Sequence, residues 1–242
     1  MKLERIYLAF LFSCILTACS NGIGQKIASS TDTSSDNLQT KTSIDKQVQK
    51  TLNLDYDFEI KIGQKENFEN FETYTLFILT HKNKQLYLDT ALTEYEFGDK
   101  LYPMVRQLNN ETFEIFVEVN DRPSKNYLKY LRVHQDKIVS IEKLPTFISK
   151  ASNLDTDDHL EFAGFGDWGE TWGDNGSFTG YNPIIYYELK PSGITLDTTL
   201  TISKNTEIYG NFHGFKHNEK VEIKTSGTKK RDKEIDRITA TK

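Results

Sequence analysis

The chain has 242 residues, with 30 Lys and Arg against 35 Asp and Glu, a formal net charge of −5, and only two cysteines. A net acidic chain lacks the basic footprint of a nucleic-acid binder, so no nucleic-acid partner is expected. Both cysteines, Cys14 and Cys19, fall in the first nineteen residues, so the rest of the chain offers no disulfide, thiol nucleophile or thiolate metal ligand.

Lys2 and Arg5 precede an apolar run over 6–18. That run is shorter than the ~20 residues a membrane-spanning helix needs, but it suits a secretory leader. The segment Leu16-Thr17-Ala18-Cys19 resembles the bacterial lipobox, in which small residues precede a cysteine that receives a diacylglyceryl group and becomes the first mature residue. The resemblance implies a signal peptide over 1–18 and a lipid anchor on Cys19 that holds the protein at a membrane of the bacterial envelope. Ser20, where retention in the inner membrane favours Asp, points by the same resemblance to the outer membrane.

Residues 19–51 hold the lipid-bearing Cys19 and a stretch rich in Ser, Thr, Asp, Gln and Lys, the composition of a flexible linker. Ile44, Val48 and Leu52 recur at helical spacing, which allows a short helix entering the domain. Over 52–227 the pattern changes to short runs of Tyr, Phe, Ile, Val and Thr. Strands are expected at 58–62, 74–80, 85–92, 112–119, 127–134, 137–144, 159–165, 184–189, 206–209 and 221–223. Asn83 and the Gln135-Asp136 pair sit where tight hairpin turns belong. The expected fold is mostly β, a single antiparallel domain arranged as a barrel, a sandwich or a propeller-like stack of hairpins. Residues 228–242 are charged, with Lys229, Lys230, Arg231 and Lys233 clustered, and read as a solvated tail.

The stretch Asn153-Leu154-Asp155-Thr156-Asp157-Asp158-His159-Leu160-Glu161 carries oxygen-bearing side chains at positions 1, 3, 5 and 9, with the His159 carbonyl at position 7. Calcium takes hard oxygen ligands, and a tightly coiled loop delivers them from alternate residues. Asp158 stands at position 6, where glycine usually supplies the sharp turn. The segment therefore reads in two ways, as a structural calcium loop or as an acidic turn feeding the next strand.

The loop over 164–183 follows, with six of the chain's fourteen glycines and both tryptophans, Trp168 and Trp172. Isolated aromatics on a glycine-rich loop suit a recognition surface; the alternative is a hairpin whose tryptophans fold back on the core. Asp167, Glu170 and Asp174 beside the tryptophans also have the composition of a glycan-cleaving site. Catalytic carboxylates need rigid, buried settings that such a loop does not supply, so the chain is expected not to be an enzyme. His213 and His217 lack a neighbouring third ligand in sequence.

The order of features over 127–189 is a hairpin, an acidic loop, a short apolar strand, a glycine-rich loop ending Gly176-Ser177-Phe178-Thr179-Gly180-Tyr181, and then Ile184-Ile185-Tyr186-Tyr187. It resembles the periplasmic inhibitors of invertebrate-type lysozyme and related calcium-binding lipoprotein immunity proteins; integrin-type FG-GAP repeats share its acidic loop. The resemblance covers about a quarter of the chain. It implies that Ser177 and Tyr181 enter the cleft of a cell-wall hydrolase, and that Asn153, Asp155, Asp157 and Glu161 hold calcium. The leading expectation is a lipid-anchored, non-catalytic binding module that blocks such a hydrolase. The alternatives are a carbohydrate-binding or glycan-cleaving lipoprotein with Trp168 and Trp172 as sugar platforms, and a structural envelope protein.

Overall fold

Residues 47–68, 71–90 and 92–240 are described by the structure, a computed structural model. The leader, Cys19 and the linker up to residue 46 lie outside the described residues. The first nine strands are β1 (Val48–Asn53), β2 (Phe58–Phe68), β3 (Phe71–His81), β4 (Lys84–Asp89), β5 (Glu94–Glu96), β6 (Met104–Asn109), β7 (Thr112–Asn120), β8 (Tyr127–His134) and β9 (Lys137–Pro145). They form one antiparallel sheet in the order β1-β2-β3-β5-β7-β8-β9, with β4 also on β3 and β6 also on β7. Two hairpins turn at Lys82-Asn83 and Gln135-Asp136, all four residues having φ between 48° and 64°. That left-handed pair is what a two-residue turn needs to match the strand twist.

Strand β7 shows why this sheet needs covering on both sides. Its Phe113, Ile115, Val117 and Val119 join Phe58, Ile60, Ile62, Phe77, Leu79, Leu131 and Val133 in one core cluster. Phe116, on the opposite face, joins Leu128, Tyr130, Phe147 and Phe162 in a second. The sheet curls around the first cluster until Lys129 of β8 reaches the Asp89 carboxylate of β4 at 2.7 Å.

The second face is covered by a three-stranded sheet of β10 (Glu161–Gly164), β13 (Ile185–Lys190) and β14 (Gly193–Leu196). Glu114 ties the two sheets together. Its fully buried carboxylate accepts Arg106 Nη1 at 2.6 Å, Tyr130 Oη at 2.8 Å and the Ile194 backbone N–H at 2.7 Å, so both of its oxygens have partners. A third sheet joins β11 (Thr171–Trp172), β12 (Phe178–Tyr181) and β15 (Asn218–Lys224). The arrangement is sandwich-like and mostly β, with no closed barrel among the described residues.

Two helices depart from the sequence reading. Helix α1 (Thr198–Tyr209) includes the segment expected as a strand at 206–209. Asp197 caps it by accepting the Leu200 N–H at 2.8 Å, and Gly210 ends it at φ 84°. Its buried face is half polar. Thr201 Oγ1 accepts the Tyr186 N–H at 3.1 Å, while Asn205 accepts the Ile184 N–H at 3.0 Å and donates to the Ile184 carbonyl at 2.7 Å. Helix α2 (Thr225–Ala240) replaces the expected solvated tail. Ile238 is fully buried with Leu154, Ala163, Ile184, Tyr186, Leu200 and Ile208, and Ile235 packs beside it. The short helix expected through Val48 and Leu52 is instead β1, where Leu52 lies opposite Ile60 and packs on the first cluster.

Candidate functional site

The acidic loop precedes β10 and is built from its own side chains. Asn153 Oδ1 accepts the Thr156 N–H at 3.0 Å, Asp155 Oδ1 the Asp157 N–H at 3.0 Å, and Asp157 Oδ1 the His159 N–H at 2.7 Å. Asn153 also donates its side-chain amide to the Asp157 carbonyl. The His159 N–H holds the Asp157 carboxyl below its usual range. The unusual backbone falls on Thr156, at φ 133°, and not on Asp158, so the loop turns two places earlier than the spacing of a glycine-six loop implies.

The loop brings together Asp155, Asp157 and Glu161, one carboxylate oxygen of each lying within 4.8 Å of the others. Two oxygens on one calcium ion sit at most about 5 Å apart, so this spacing fits a shared ion. Glu161 is fully buried. Its Oε2 accepts the Leu154 N–H at 2.7 Å, whereas Oε1 is buried with no hydrogen-bond partner. Burial, opposed by the Leu154 hydrogen bond and reinforced by Asp155 and Asp157, pushes its pKa up to about 7. Three crowded carboxylates with one orphaned buried oxygen could offer a hard cation its ligands. The His159 ring lies between Asp157 and Glu188, at 3.3 and 3.2 Å, a second group that shares Asp157 with the first.

The glycine-rich stretch is a strapped hairpin. Thr171 pairs with Thr179 and Trp172 with Phe178, and Phe178–Tyr181 in turn pairs with β15. Gly173 makes its turn at φ 76°, where a Cβ would lie 2.8 Å from Ser177 Oγ. Asp167 serves the same hairpin, accepting the Gly169 N–H at 3.0 Å and, through its carbonyl, the Asn182 amide at 2.6 Å.

The four residues expected to meet a partner therefore separate. Tyr181 is fully buried and donates its hydroxyl to the Gly214 carbonyl at 3.0 Å, with Tyr209 and His213 against its ring. It does not project, and this corrects its expected role as an inserted residue. Ser177 is half-buried and its carbonyl accepts the Thr225 N–H at 3.0 Å, which fastens it to the start of α2. Trp172 is half-buried and donates to Glu222 at 3.2 Å. Trp168 alone stands free, with 64% of its surface exposed.

Beside Trp168 an open groove of about 510 Å³ runs between the end of the β8–β9 hairpin and the second sheet. Tyr127, Tyr187 and Phe215 supply rings to its lining, and Lys125, Lys143, Lys216 and His217 supply nitrogen; no acidic residue lines it among the described residues. Lys143 lies over the Tyr127 ring at 3.9 Å and pairs with Asp121 at 3.0 Å, and His217 faces Asp167 at 3.4 Å. Lys125 donates to Thr146 Oγ1, and its Nζ lies 5.4 Å from the Trp168 ring centre. Burial pushes the Lys125 pKa down to about 8, with Glu118 opposing and Arg231 adding to the shift. Trp168 is not part of the lining and neighbours it through Lys125; of the lining residues only His217 is a candidate in the sequence, because strands and loops far apart in the chain assemble the groove.

Comparison of the chain with protein-family models, with curated proteins and with solved structures returns no match.

Proposed function

We propose that this chain is a lipid-anchored, non-catalytic binding module of the bacterial envelope that holds a glycan in the groove beside Trp168. The observation that carries the reading is the exposed indole next to an open, ring-lined groove. Aromatic rings give a sugar a large contact area at little entropic cost, and polar groups around them fix its orientation. Asp167 Oδ1 is engaged in shaping the hairpin through the Gly169 N–H. The burial of Tyr181 weighs against its use as an inserted residue and favours the glycan reading over the hydrolase-inhibitor one.

A structural calcium ion on Asp155, Asp157 and Glu161 belongs to the same proposal. The orphaned Glu161 Oε1 supports it, and the loop feeds straight into β10, whose partner strand carries the groove residue Tyr187. A fixed loop would hold that strand, and so the groove, in one shape before the ligand arrives. An anchor at Cys19 would keep the groove near the cell wall at high local concentration. The test is co-sedimentation of the full chain, in mild detergent, with insoluble cell-wall glycan. The wild type is retained and Trp168→Ala is not; equal retention of both, or retention of neither, contradicts the reading.

A further inference from the structure

The basic cluster on α2 and the lone Lys125 of the β7–β8 connection, far apart in sequence, meet at one aromatic ring. Lys125 Nζ lies 4.8 Å and the Arg231 guanidinium carbon 4.5 Å from the centre of the Phe165 ring. The quadrupole of one ring offsets only part of two positive charges. Arg231 Nε and Nη2 are buried with no hydrogen-bond partner. No carboxylate forms an ion pair with either cation among the described residues, and Glu118, the acidic group closest in influence to Lys125, spends its Oε1 on the Asn126 amide at 3.0 Å. Two partly desolvated cations with no carboxylate in contact create a positive potential that Glu118 offsets only in part, and Lys125 delivers it to the groove that it lines.

We propose that Lys125, backed by Arg231, is the anion-recognition end of the groove, taking a carboxylate or phosphate carried on a saccharide whose ring lies on Trp168. The proposal rests on the glycan reading above and narrows it to acidic glycans. Lys125 is the direct contact, free to exchange its Thr146 hydrogen bond for one to the ligand. Arg231, which does not line the groove, acts through its field beside Phe165. Among the described residues the groove lining itself holds no acidic side chain, and the carboxylates that adjoin it, Asp121 and Asp167, face Lys143 and His217.

The experiment is calorimetric titration of the full chain in mild detergent with three probes of similar length: an oligogalacturonate, a neutral oligoglucose and a phosphorylated oligoglucose. At least one anionic probe binds about tenfold or more tighter than the neutral one, and the anionic probe that binds identifies the carboxylate or the phosphate source. Lys125→Met, which removes a partly buried charge and preserves the fold, brings the anionic probe down to the neutral level. Arg231→Met weakens the preference less, and Trp168→Ala weakens every probe. Equal binding of neutral and anionic probes by the wild type, or a preference that survives Lys125→Met, overturns the anion subsite and leaves the glycan groove standing. Binding of no probe by the folded protein overturns both.

Discussion

The hydroxyl of Tyr181 donates to the carbonyl of Gly214 across 3.0 Å, and the ring behind it is fully buried. This contact joins β12 to the segment between α1 and β15, and that segment contributes Phe215, Lys216 and His217 to the groove. The residue with the strongest resemblance-based role thus turns out to support the site from below. Tyr181→Phe leaves the Gly214 carbonyl without its phenol donor and is expected to cost about 1 kcal/mol. Tyr181→Ala empties a packed position and is expected to cost about 3–5 kcal/mol. Urea unfolding measures both. Ligand affinity of the folded Tyr181→Phe protein should match the wild type, and a large loss there would restore Tyr181 to the binding surface.

Calcium should act as a stabilising ligand. An ion that binds only the folded chain adds about 2.7 kcal/mol at a hundred times its Kd, so the melting temperature should climb with added calcium and fall back with a chelator. Glu161→Gln and Asp157→Asn should each remove most of that response. An identical rise in wild type and Glu161→Gln would mean that the ion binds elsewhere.

Lys125 gives the binding reaction a pH dependence of definite sign. Its pKa is lowered from 10.5 to about 8, so the unfolded chain holds the proton more tightly, and this site's contribution to stability rises with pH between those values. An anion in the groove favours the ammonium form. Glu118 of β7 already opposes the depression and Arg231 of α2 reinforces it. Binding near pH 8 should therefore take up protons, and affinity should fall as pH rises above about 8. Titrations in two buffers of different ionisation enthalpy measure the uptake, which should vanish in Lys125→Met.

Helix α2 should be integral to the fold. Ile238 is fully buried in the third cluster, and Tyr186 donates its hydroxyl to Glu234 at 3.1 Å. Ile238→Ala is expected to cost about 2–5 kcal/mol, measured by thermal or urea unfolding, whereas a substitution in a solvated tail costs almost nothing.

The strands were legible where one face is apolar and the other polar or where β-branched and aromatic residues run together, as in 74–80, 112–119 and 127–134. The two hairpin turns were legible because Asn83 and Asp136 accept left-handed backbone more readily than most residues. Helix α1 was hidden because its buried face includes Thr201 and Asn205, which satisfy the backbone of β13 and its approach, so its sequence carries no apolar stripe. Helix α2 was hidden because its charges outnumber the two isoleucines that dock it. The carboxylates of the acidic loop could be named from their spacing, while the burial of Glu161 could not. Of the recognition residues named from the glycine-rich loop, only Trp168 lies free beside the groove. Lys125, Arg231 and Phe165 form their cluster through tertiary packing that no local pattern encodes.

The most direct test uses the chain's own indoles. Trp168 and Trp172 are its only two tryptophans, so Trp172→Phe leaves Trp168 as the sole reporter beside the groove. Titrating this protein with oligogalacturonate and with the phosphorylated oligoglucose, while recording tryptophan emission, should give a saturable blue shift with at least one of them as the exposed ring is covered. Emission that stays unchanged up to millimolar probe, in protein shown to be folded, would contradict the account.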